Sequence, residues 1–142
     1  MLRSRYLAGA VFMAAGLGTG AAAADFRALD PARADFADLR WRARIVVVLA
    51  DDAGLAAYRA QMDHLKDVRA GLAERDIVVF TDTDPAARGA LARRLAQGPF
   101  TFVLIGKDGG VKRREASPVT ADSLFATIDA MPMRQREMRD GD

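Results

Sequence analysis

The sequence predicts an α/β domain built on a central mixed four-stranded sheet flanked by helices. Three observations carry this. Residues 45–50 (IVVVLA), 77–81 (IVVFT) and 100–105 (FTFVLI) are β-branched and aromatic runs without polar alternation, as in strands buried on both faces. The segments between them repeat apolar residues at steps of three and four, which gives helices with one apolar face. Lys107-Asp108-Gly109-Gly110 then reads as a tight hairpin turn, because glycine accepts positive φ.

Each element follows in order. Residues 25–43 are an N-terminal arm with a helical turn near residues 34–39, and Trp41 is expected to pack on the domain edge. The first strand leads through Asp51-Asp52 into one amphipathic helix carrying Leu55, Tyr58, Met62, Leu65, Val68 and Leu72. After the second strand, Asp84 is placed to cap a helix and Pro85 suits its first position, where a missing N–H costs nothing. Leu91 and Leu95 continue its apolar stripe until Gln97-Gly98-Pro99. Residues 111–114 form an edge strand whose charges oppose pairing with another chain. Thr120 caps a last helix with Leu124, Phe125, Ile128 and Met131 inward, and Pro132 interrupts it. Residues 133–142 are expected to fray as a charged tail. The order β-α-β-α-β-β-α is the thioredoxin-like plan, with strand order second, first, third, fourth and a right-handed crossover between the first two. The domain proper spans residues 44–132.

Residues 1–24 have the three parts of a secretory signal peptide: a basic start with Arg3 and Arg5, an uncharged apolar stretch over 7–20, and small residues to Ala24. The apolar stretch falls short of the ~20 residues that span a bilayer. The expected location is therefore periplasmic or secreted, with no stable membrane span after cleavage. Arg3 and Arg5 are the only charged groups in the leader. The 21 basic and 19 acidic residues of the whole chain thus become 19 of each over residues 25–142. With no net positive charge, nucleic acid is not an expected partner. The sequence contains no cysteine, so dithiol oxidoreductase chemistry is excluded and no disulfide supports the fold.

Four strings together identify a relationship: Arg40-Trp41-Arg42, residues 72–79 (LAERDIVV), residues 100–112 (FTFVLIGKDGGVK) and residues 128–134 (IDAMPMR) with Glu137-Met138. They resemble the domain of unknown function 4174 family. That family occurs in secreted bacterial proteins and as a module in animal extracellular sushi-repeat and coiled-coil-domain proteins. The resemblance implies a thioredoxin-like fold without established catalysis, and it supplies no catalytic residue.

Ligands of open α/β sheets favour the edge at the carboxyl ends of the parallel strands. Asp51 and Asp52, then Asp82, Thr83 and Asp84, and finally Pro99, Phe100 and Thr101 are expected to meet there. Asp51, Asp52, Asp82 and Asp84 are the candidate metal ligands, since hard cations take oxygen donors. Helix capping is the competing role for the same side chains. No cofactor is predicted, a divalent cation being the one the pattern could take. His64, the only histidine, has no nucleophile motif beside it. Lys112, Arg113 and Arg114, with Arg134, Arg136 and Arg139, are expected on solvated faces, and Tyr58, Met62 and Met131 in the core. The leading expectation is a non-redox binding or adaptor domain of the cell envelope, more a binder than an enzyme, with an envelope protein or peptide as partner. An apolar groove beside Pro99 and Phe100 would be its sign. The alternative is a metal-binding protein or metal-dependent enzyme using the aspartates.

Overall fold

A computed structural model describes residues 24–141. The signal-peptide expectation falls on residues 1–24 and so lies almost entirely outside the described part. Five strands form one sheet: β1 (Asp25–Ala28), β2 (Arg44–Ala50), β3 (Ile77–Asp82), β4 (Phe100–Ile105) and β5 (Val111–Glu115). Their order is β1-β3-β2-β4-β5. β1, β3 and β2 are parallel, whereas β4 and β5 run antiparallel to their neighbours. The four predicted strands take the predicted order. The fifth is a correction to the sequence reading: part of the N-terminal arm adds to the edge of β3. Asp25–Ala28 is too short and too polar to announce itself as a strand, since it serves an edge with little burial.

Alternation along β2 explains the layers. Val46, Val48 and Ala50 face one core, and Ile45, Val47 and Leu49 the other. The first core is closed by α1 (Ala56–Lys66), α2 (Arg69–Glu74) and α4 (Ala121–Asp129) through Met62, Leu65, Leu72, Leu124 and Ile128. The second is closed by α3 (Ala90–Leu95), with Leu29, Phe36 and Leu39 of the N-terminal segment. All seven residues of β2 are buried, as expected for a central strand covered on both faces.

Three helices differ from expectation. The first predicted helix is two, because Val68 leaves helical geometry at φ −125° and packs against the core. The second begins as a 3₁₀ turn over Pro85–Ala87, capped by Asp84 as anticipated, and α3 starts only after Gly89. A Cβ at Gly89 would lie 2.0 Å from the Pro31 carbonyl oxygen, so the break is where two backbone segments touch. The segment expected to fray is α5 (Pro132–Asp140), with Pro132 at its first turn. Arg134, expected on a solvated face, is 5% exposed and anchors α5 to the domain. Trp41 also departs from its expected place. It is 62% exposed, at φ +67°, before β2. The hairpin holds as predicted, with Gly109 at φ +85° and Gly106 N–H donating to the Gly110 carbonyl at 2.9 Å.

Candidate functional site

The carboxyl edge of the parallel strands gathers the predicted segments but leaves them occupied with one another. The Asp51 N–H donates to the Pro99 carbonyl at 2.9 Å, which ties the first segment to the third. The Asp52 carboxylate accepts from Gly54 N–H at 2.5 Å. Asp82 accepts from Asp84 N–H at 2.9 Å and faces Arg88 Nε at 3.4 Å. Arg88 is buried and also donates to the Ala50 carbonyl at 3.1 Å. The Asp84 carboxylate accepts from Ala86 and Ala87 N–H, as a cap does. Among the described residues no three His, Cys, Asp or Glu side chains are grouped to hold a metal ion.

The other predicted edge residues behave similarly. Asp82, Thr83 and Asp84 line a recess of about 250 Å³ with Leu29 and Pro31. Phe100 is 3% exposed, so its ring belongs to the core and offers no groove surface. Thr101 is buried, and its hydroxyl accepts from Gln97 N–H and donates to the Gln97 carbonyl. Pro99 is exposed, and its peptide bond is trans, like every other described bond. His64 sits half-buried on α1.

A larger cavity, about 510 Å³, lies at the opposite end of the sheet, where β2 begins and β4 ends. Its size falls within the ~300–1,000 Å³ of small-molecule sites. Arg44 opens β2, Lys107 follows β4, and Lys112 comes from β5. Met131, Pro132 and Met133, at the α4–α5 junction, supply an apolar wall, and Arg136 of α5 completes the lining.

The wall is held by ion pairs. Arg44, 1% exposed, donates to both oxygens of Glu137 at 3.1 and 3.2 Å and to the Arg75 carbonyl at 3.0 Å. Lys107 reaches Glu137 at 2.7 Å and Asp76 at 2.8 Å. Arg134 bridges Glu74 at 3.1 Å and Asp129 at 3.3 Å. Arg75 forks onto Asp129 at 2.9 and 2.8 Å while lying 3.9 Å over the Phe125 ring. Burial raises the Glu137 pKa, but hydrogen bonds from Arg44 and then Lys107 outweigh it, so the carboxyl sits below its ordinary range. The Arg75 hydrogen bond likewise holds Asp129 below its own. Two buried donors lack an acceptor: Arg44 Nε at this end of the sheet and Arg88 Nε at the carboxyl edge.

Sequence reasoning missed this end of the sheet because its key residues look like surface charge. Arg44 and Glu137 are 93 residues apart, and nothing local marks them as partners. One signal was available: Arg44 directly precedes the most apolar run in the chain, where an unpaired charge could not stay.

Comparison with known proteins agrees with this architecture. The family described as "Domain of unknown function (DUF4174)" matches residues 35–137. A curated relative, the sushi repeat-containing protein SRPX of Rattus norvegicus, is 31% identical over 112 residues. That match covers 67% of this chain but only 24% of the relative, so the chain spans about a quarter of that protein's length. Among solved structures, the reduced 2-Cys peroxiredoxin of Plasmodium vivax is similar with a TM-score of 0.54 at 12% identity, over 70% of this chain and 83% of that one. At that identity the likeness concerns the fold alone, which is thioredoxin-like.

Proposed function

The chain belongs to the DUF4174 family, and from that premise we propose that it is a non-redox binding domain exported to the cell envelope. One contrast carries the reading. At the carboxyl edge Asp52, Asp82 and Asp84 accept from nearby backbone N–H groups and the recess is about 250 Å³, whereas the opposite end holds a cavity of about 510 Å³ rimmed with cations. Arg136 in that lining makes no ion pair among the described residues. The solved neighbour is a 2-Cys peroxiredoxin, but this sequence has no cysteine to perform thiol chemistry. The leader pattern of residues 1–24 supports export, and no helix among the described residues is long and apolar enough to cross a membrane.

The test is an amide-shift map of the ¹⁵N-labelled full chain, titrated with a low-molecular-mass envelope extract and separately with Mg²⁺ and Ca²⁺. Saturable shifts over residues 106–112 and 127–136 with the extract support the reading. Shifts over residues 51–54 and 82–84 with the cations would replace it with the metal-binding alternative. Silence in both arms overturns it.

A further inference from the structure

Resting on the cavity at the start of β2 as the binding site, we infer that its ligand is an amphipathic monoanion: a single carboxylate on an aliphatic body. The charge count sets the first half. Arg44, Lys107, Lys112 and Arg136 line the cavity. Three carboxylates answer them: Glu137 holds Arg44 and Lys107, Asp76 holds Lys107, and Asp108 holds Lys112 at 2.7 Å. Behind the wall, Arg75 and Arg134 are balanced by Glu74 and Asp129. One positive charge remains, that of the exposed Arg136. A monoanion neutralises it. A dianion would bring a second negative charge toward Asp108 and Glu137, where like charges repel.

The lining chemistry sets the second half. Ala130, Met131, Pro132 and Met133 present a continuous apolar stretch beside the cations. Thioether side chains conform to irregular aliphatic surfaces, so the wall does not demand one ligand shape. No aromatic side chain lines the cavity, which removes the stacking surface a nucleobase needs. Inorganic anions satisfy the charge but leave this wall exposed to water.

The experiment titrates the full-length chain with decanoate, decanol, acetate and decyltrimethylammonium, each below micelle formation, following backbone amides. Decanoate is expected to shift residues 106–112 and 127–136 saturably, at least tenfold tighter than acetate or decanol, with no binding of the cationic amphiphile there. Arg136→Ala, an exposed change that should leave the fold intact, should weaken decanoate roughly fivefold, the effect of one surface charge. Arg139→Ala, on the same helix but outside the lining, should not. Decanol or the cation binding as tightly as decanoate, or an indifferent Arg136→Ala, overturns the inference. An N-acetylated leucine-rich tripeptide, whose free carboxyl terminus is its only charge, distinguishes sources. Its tighter binding assigns a chain terminus, and tighter decanoate a free fatty acid, and either result supports the carboxylate. Cavity shifts with the envelope extract but none with decanoate or the tripeptide would sink the ligand class and leave the binding domain standing. No cavity shift with any of them sinks both.

Discussion

Gln61 is fully buried on α1, and its amide makes two bonds to one backbone position. Its Nε2 donates to the Val119 carbonyl at 2.9 Å, and its Oε1 accepts from Val119 N–H at 2.7 Å. The loop between β5 and α4 is therefore pinned by a side chain rather than by a strand. Gln61→Ala strands a buried donor and a buried acceptor, and should cost about 2–4 kcal/mol in urea denaturation. An unchanged midpoint would mean that water replaces the amide. Trp41 carries the opposite kind of signal. A bulky residue at φ +67° is strained, and at 62% exposure its ring gains little from packing. Its N–H is nonetheless bound to the Lys107 carbonyl at 2.7 Å, which fixes the backbone in that geometry. Trp41→Gly keeps the hydrogen bond and removes the strain. It should stabilise the fold by about 1 kcal/mol, read as a raised thermal midpoint. A lowered midpoint would mean the exposed ring contributes more than its strain costs.

Among the elements, the strands were the most legible. Residues 45–50 and 100–105 had to be buried on both faces, because no polar alternation offers a solvent side. Capping was legible as well. Thr120 accepts from Ser123 N–H, and Asp84 from Ala86 and Ala87 N–H, where those residue types predicted it. Breaks between helices were not, because they depend on contacts with distant chain. Gly89 illustrates this: its neighbours in sequence allow a helix, and only Pro31 forbids a side chain there. Gly89→Ala should force Pro31 away from α3. We expect a loss of about 2 kcal/mol or more, measured by denaturation. A neutral result would mean that the N-terminal segment is free to move aside. The candidate site was only half legible for the same reason. The carboxyl edge follows from strand topology, whereas the cavity depends on pairing Arg44 with Glu137 across the domain.

The whole molecule is closed by charge at one end of its sheet. Glu137 of α5 faces Arg44, Lys107 and Arg134, and Asp129 of α4 faces Arg75 and Arg134. Both carboxyls have folded pKa values below their ordinary range. The stability they contribute is therefore present above that range, ~3.9–4.3, and is lost as pH falls through the lowered folded values. Thermal midpoints should hold from neutral pH down to about 5 and then decline steeply. Glu137→Ala should cost about 3 kcal/mol at neutral pH, because Arg44 would stay buried without its counter-ion, and it should flatten the acid decline. An equally steep decline in the variant would assign the acid sensitivity elsewhere. The same pair also governs when the protein can become itself. Arg44 must wait for a partner 93 residues further along, so the central strand carries an unanswered charge until residue 137 has been synthesised. Until then the Arg44 guanidinium has only the Arg75 carbonyl as acceptor, so the ionic closure of this end of the sheet comes last in the order of synthesis.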